Sequence, residues 1–186
     1  KSQGLATQPK NGYIWHTTGS GKTMTSFKSA QLISSSKDAD KVVFLTDRIE
    51  LGLQSLKEYR AFADIREVVQ GTENTKVLTT KLKSDKTADC LIVTSIQKMS
   101  NIQLDPNGLN TKDIEVINKK RIVFIVDEAH RSTFGEMLST IKNTFPRAIF
   151  FGFTGTPIHD ENKKNNSTTS TIFGNELHRY SIADGI

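Results

Sequence analysis

Two short runs hold the residues most able to do chemistry. In HTTGSGKT, residues 16–23, Gly19 and Gly21 flank Ser20 and lead directly into Lys22 and Thr23. Glycines lack the Cβ that would stop successive backbone N–H groups from turning inward around phosphate oxygens, and a helix starting near Lys22 adds its positive end to that nest. Thr18, Gly19, Ser20, Gly21, Lys22 and Thr23 are therefore the candidate phosphate-binding residues. Lys22 is expected to reach the β and γ phosphates, and the Thr23 hydroxyl to enter the shell of a Mg2+ ion. The general pattern G-x-x-x-x-G-K-[ST] opens with glycine, whereas His16 holds that place here. His16 either lines the outer edge of the loop or fills space between strand end and helix. The second run, IVFIVDEAH at 122–130, carries the chain across a sheet and delivers Asp127 at its far end. Ligands of open α/β sheets bind at that edge. Asp127 is the candidate to hold Mg2+, directly or through a water, and Glu128 to polarise the attacking water. An acidic pair can also simply close a strand and open a helix, but a phosphate loop upstream favours the catalytic reading. Downstream, TGTP at 154–157 presents Thr154, Gly155 and Thr156. A hydrogen bond from His130 to one of these threonines would couple the acidic group to movement of that segment.

Those residues need elements to position them. Short apolar runs rich in Val, Ile and Phe occur at 13–15, 42–46, 90–94, 122–127 and 148–153, with a weaker one at 65–69. Continuous runs of this length are what strands buried on both faces look like. Helical spacing fills the intervals at 23–34, 50–62 and 133–143, as in Phe134, Met137, Leu138 and Ile141. The alternation predicts βαβ units, a mostly parallel sheet and helices on both faces. The stretch 101–118 contains a DPNG turn and little periodicity until its end, and 159–171, HDENKKNNSTTST, reads as a polar loop. The tail FGNELHRYSIADGI recovers apolar residues and suits a last strand or helix.

The 186 residues suit one domain with a sizeable core. No apolar run approaches the length needed to cross a bilayer, so no membrane partner is expected. KSQGLATQPK has no apolar stretch behind its lysines, which argues against a signal peptide. With no initiator methionine, the chain is expected to be a fragment or processed product. The single cysteine, Cys90, excludes an internal disulfide and reads as a buried strand residue of a cytosolic, reducing compartment. A formal charge of +5 tilts mildly toward polyanionic partners.

GSGKT, DEAH and TGTP, in that order on βαβ units, resemble the first RecA-like domain of superfamily 2 helicases and DNA translocases, the DEAD/DEAH-box group. GYIWHTTGSGKTMTSFKSA, FLTDRIELGLQ, IVTSIQKM, FIVDEAHRSTFGEM and FGFTGTPI narrow the resemblance to the motor (R, or HsdR-type) subunit of type I restriction enzymes, a family whose loop carries the leading histidine. The resemblance runs from about Asn11 to the end. It implies a RecA-like P-loop NTPase domain over 1–174 and an exit segment over 175–186 toward a second motor domain. It also implies ATP and Mg2+ as ligands, and translocation on double-stranded DNA. The modification and specificity subunits of a restriction complex are the implied protein partners. Thr46, Asp47 and Arg48, with Thr94, Ser95 and Gln97, match segments that lie along the DNA backbone. Hydroxyls, an amide and an arginine suit phosphates without reading base sequence. In the resembled family a second RecA-like domain closes over the ATP and supplies an arginine, so this chain is expected to bind nucleotide as half of a motor. Three rival readings stand beside this one. They are a stand-alone superfamily 2 helicase, a P-loop phosphotransferase, which would leave DEAH followed by TGTP unexplained, and a non-catalytic nucleotide-binding module.

Overall fold

A computed structural model of the chain describes residues 11–16, 22–47, 70–71, 74–127, 134–155 and 169–180. Its strands are β1 (Gly12–His16), β2 (Lys41–Thr46), β3 (Gln70–Gly71), β4 (Leu91–Ser95), β5 (Ile122–Val126), β6 (Ile149–Thr154) and β7 (Asn175–Tyr180). They form one sheet in the order β3-β4-β2-β5-β6-β1-β7. All the pairings are parallel. The helices are α1 (Lys22–Ser36), α2 (Thr75–Lys83), α3 (Ile96–Ser100), α4 (Thr111–Ile117), α5 (Phe134–Thr144) and α6 (Thr169–Phe173), with a 3-10 turn at Thr87–Asp89. This is the parallel α/β architecture that the alternating sequence pattern predicts, in the RecA-like form that the family resemblance implies.

A parallel sheet persists only where both faces are covered. Accordingly β2, β4 and β5 are buried at every position. Alternation sends Val43, Leu45, Ile92, Phe124 and Val126 to one face, where Leu78 and Leu82 of α2, Met99 of α3 and Leu138 and Ile141 of α5 meet them. Val42, Phe44, Leu91, Val93, Val123 and Ile125 face the other way, onto Phe27 and Ala30 of α1. Phe124 anchors the first face, stacked on Phe150 at 4.8 Å between ring centroids and tilted against Phe145 at 5.5 Å. Each such side chain contributes roughly 1.5–3 kcal/mol through burial.

The amino edge of the sheet is held by polar contacts. Lys41 opens β2 fully buried and donates from Nζ to the Asp89 carbonyl at 2.7 Å. Burial pushes its pKa down. Arg121 pairs with Asp40 at 3.0 Å. Lys120 pairs with Asp85 and also donates to the Lys83 and Ser84 carbonyls at the end of α2.

Several elements go beyond the sequence reading. No helix was expected at α2, where threonines dilute the apolar period. α4 lies in the stretch 101–118 and is nucleated by a capping box, in which Asn110 accepts from the Asp113 N–H and Asp113 accepts from the Asn110 N–H. α6 claims residues 169–171 from the loop expected over 159–171. Its last turn ends at Gly174, whose φ of 86° reverses the chain into β7, and a Cβ there would sit 3.1 Å from the Asn11 carbonyl oxygen. The expected helix at 50–62 and strand at 65–69 lie outside the described residues.

Candidate functional site at the carboxyl edge of the sheet

Because every pairing is parallel, the chain leaves all the strands at one edge. His16, Thr46, Ser95, Asp127 and Gly155 all lie there, though far apart in sequence. The ordering also fixes spacing. β5, which leads into Asp127, is separated from β1 by β6 alone. Two strand spacings amount to about 10 Å, a distance that a triphosphate with a hydrated metal bridges.

Lys22 is the first residue of α1 and is 8% exposed. The first turn of α1 holds no acidic residue, so nothing there opposes the positive helix end. Phe27 meets Phe44 edge-on at 6.1 Å, which fixes α1 against the sheet. Asp127 is 9% exposed, and its N–H donates to the Leu45 carbonyl at 3.1 Å, extending the β5–β2 ladder by one bond. Alternation beyond Val123 and Ile125 puts Asp127 on the face covered by α1. A buried lysine and a buried carboxylate at one edge, on one face, form a donor set that fits a magnesium–polyphosphate. The ammonium group is suited to phosphate and the carboxylate oxygen to a hard metal. Thr18, Gly19, Ser20, Gly21, Glu128, His130 and Thr156, as well as the Thr23 side chain, lie outside what the structure describes. The expected bond from His130 to Thr154 or Thr156 lies outside it too. Among the described residues there is no group of three or more His, Cys, Asp or Glu able to hold a metal ion by themselves.

The candidate DNA-backbone residues divide by depth. Thr46, Thr94 and Ser95 are buried, and Gln97 is exposed. The Thr46 hydroxyl donates to the Thr94 carbonyl at 3.5 Å. Ser95 caps α3, its Oγ accepting from the Lys98 N–H at 3.2 Å. Asp47 is partly exposed, and Arg48 is outside the described residues.

Three residues at this edge, Trp15, His178 and Arg179, were invisible as site residues in the sequence. The Trp15 indole N–H donates to the Gly155 carbonyl at 3.0 Å, joining β1 to the segment after β6. The Arg179 guanidinium from β7 lies over the same indole at 4.2 Å. His178 of β7 approaches His16, with ring centroids 6.2 Å apart. Trp15 read simply as part of an apolar strand. His178 lies in a polar tail whose pairing with β1 no composition signal announces.

Comparison with known proteins agrees with this arrangement. A family model described as SWI2/SNF2 ATPase matches residues 2–186. The type I restriction enzyme SsaAORF53P endonuclease subunit of Staphylococcus saprophyticus is 46% identical over 177 residues, covering 95% of this chain and 18% of that protein. The putative type I restriction enzyme MjaIXP endonuclease subunit of Methanocaldococcus jannaschii is 31% identical over 176 residues, or 92% of this chain and 15% of that one. Among solved structures, a nuclease-deletion mutant of the type ISP restriction-modification enzyme LlaGI with a DNA substrate mimic superposes with a TM-score of 0.63. That match has 20% identity over 95% of this chain and 18% of the other, a likeness of fold. The chain thus spans less than a fifth of the length of these relatives.

Proposed function

This chain belongs to the SWI2/SNF2 ATPase family, and on that footing we propose that it is the ATP-binding motor domain of an ATP-dependent double-stranded DNA translocase in a type I restriction endonuclease. The observation that carries the reading is the placement of buried Lys22 and buried Asp127 at the carboxyl edge, after strands β1 and β5, which are separated by β6 alone. The 46% identity to a restriction endonuclease subunit supports the choice of system.

In this reading Lys22 holds the β and γ phosphates, and the loop from Thr18 to Thr23 wraps them. Asp127 and Thr23 would hold Mg2+, which would neutralise charge on the phosphates. Glu128 orients and polarises the water that attacks the γ-phosphate. His130 and the segment Thr154, Gly155, Thr156 pass the event onward. Thr46, Asp47, Arg48, Thr94, Ser95 and Gln97 border the path of the DNA backbone. Residues 1–174 make up the first RecA-like domain, whose sheet is completed by β7 (Asn175–Tyr180), and 175–186 lead toward a second. Modification and specificity subunits are the partners, and the cytosol is the compartment. None of the described helices is long and apolar enough to cross a membrane.

Stabilising charge on the transferring phosphoryl group calls for an arginine, an effect worth about 10³ to 10⁵ in rate. The described arginines do not supply one. Arg121 is paired with Asp40 at the amino edge, Arg147 is exposed just ahead of β6 at that same edge, and Arg179 is engaged by Glu176 and Trp15. In the proposed motor the catalytic arginine comes from a second domain, as the family resemblance implies, and no described arginine competes for that role. The test uses the intact protein and two substrates. Duplex DNA of unrelated sequence should stimulate ATP hydrolysis, and a triplex-forming strand should be displaced from a duplex without the duplex being opened. Unwinding of the duplex would favour a stand-alone helicase, and absence of nucleotide binding would overturn the reading altogether.

A further inference from the structure

His16 occupies the place where the phosphate-loop pattern has glycine, and nothing in the proposed chemistry uses it. It is the last residue of β1, 8% exposed, and alternation beyond Ile14 sets it on the α1 face of the sheet. Charged and titratable groups reach it from two sides. Lys22 acts on it from α1, and His178 acts on it from β7, its ring 6.2 Å away and tilted by 52°. The remaining charged groups of β7 are otherwise engaged. Glu176 accepts from the Tyr13 hydroxyl and pairs with Arg179, which lies over Trp15. On the other side β6, IFFGFT, carries no titratable side chain. Burial first, and then His178 and Lys22, push the His16 pKa below its ordinary 6.5. The imidazole is therefore neutral at pH 7 in the nucleotide-free protein, which avoids burying another cation beside Lys22.

A polyphosphate seated on Lys22 reverses that local field. Even with Mg2+ bound, a nucleoside triphosphate keeps net negative charge, and an anion within several ångströms favours the protonated imidazole. We propose that His16 takes up a proton from solvent when a nucleoside triphosphate occupies the site beside Lys22, so that nucleotide binding is linked to protonation of the residue that replaces glycine. The inference rests on the ATP-binding reading and adds to it a specific ligand-responsive group. By linkage, nucleotide affinity then rises as pH falls through the range between the two His16 pKa values. Half a proton taken up corresponds to about a threefold rise in affinity per pH unit.

Titration calorimetry of the intact protein with Mg2+ and the non-hydrolysable analogue AMPPNP tests this. Heats are measured in HEPES and in Tris, buffers of unlike ionisation enthalpy, between pH 6 and 8. The wild type should take up a fraction of a proton near pH 7, about 0.3 to 1 per nucleotide. His16→Asn keeps a polar side chain of similar size but does not titrate in this range, and should bind with that increment removed. The analogue's own titration is common to both proteins and cancels in the difference. His178→Asn removes one of the groups that hold His16 neutral, so the pH of maximal uptake should move upward. Binding without proton uptake by the wild type overturns the inference and leaves the ATP-binding reading intact. Uptake that survives in His16→Asn but disappears in His178→Asn also overturns it, by locating the proton on the other ring. Absence of any binding heat or competition with fluorescent nucleotide removes both.

Discussion

Replacing Lys22 by methionine separates charge from packing at the centre of the proposed site. The lysine is 8% exposed and begins α1, so its four-carbon stem fills space as well as carrying the ammonium group. Methionine keeps most of the length and volume and deletes the charge. At an effective dielectric of about 20, suited to a group near the protein surface, one ammonium–phosphate pair at roughly 4 Å is worth about 4 kcal/mol. Part of this is offset, because Lys22 exchanges existing interactions for the phosphate, and if half is lost about 2 kcal/mol remains. Nucleotide affinity should therefore fall by between about 30-fold and 1,000-fold. The unfolding midpoint without nucleotide should stay within a few degrees of the wild type, corresponding to less than about 1 kcal/mol. Calorimetry gives the first quantity and thermal unfolding the second. A further check comes from mass action, since saturating nucleotide should raise the wild-type midpoint and leave that of Lys22→Met almost unmoved. Near-normal affinity in a folded Lys22→Met protein would refute the assignment of this lysine to phosphate.

Two further outcomes follow from the rest of the molecule. Binding of duplex DNA to the intact protein should be insensitive to sequence and should weaken as salt rises, because released counterions drive it; fluorescence anisotropy at two salt concentrations measures this, and Gln97→Ala should lower affinity without altering the salt slope, since the amide carries no charge. At the amino edge, hydrogen bonds from the Arg121 side chain and backbone hold the Asp40 carboxyl below its ordinary 3.8. Its contribution to stability is therefore complete above about pH 4 and is lost as pH falls through the lowered value; Arg121→Ala should flatten that acid limb in denaturant midpoints recorded from pH 5 to pH 2.

What the sequence revealed depended on which force each segment answers to. β2, β4 and β5 were legible because strands covered on both faces must be apolar throughout, and Val42–Thr46 and Ile122–Val126 are. Lys22 and Asp127 were legible because glycines before a lysine, and an acid after an apolar strand, have few other physical uses. α2 was not, since Thr75, Thr79 and Thr80 interrupt its period, and of its three buried residues, Leu78, Thr79 and Leu82, only two are apolar. β7 was named only as a strand or helix, because an edge strand is held largely by backbone pairing to β1, and NELHRY needs no apolar face for that. The approach of His178 to His16 follows from that pairing, so nothing local could announce it. Lys41 shows the opposite case. A lysine opening a strand reads as solvated, and only the Asp89 carbonyl above it explains why it is fully buried.

Trp15 has a use that lies outside chemistry. It is the single tryptophan of the 186 residues, so emission excited at wavelengths that the three tyrosines do not absorb arises at one known point. That point is where strand β1, the Gly155 carbonyl and the Arg179 guanidinium meet. An indole's emission colour follows the electric field across its ring and the strength of its N–H bond. Any event that draws the segment after β6 away from β1, or lifts Arg179 off the ring, therefore changes the colour of the light. The chain carries its own optical gauge, needing no dye and no label, set next to the strand end that leads toward the proposed nucleotide site.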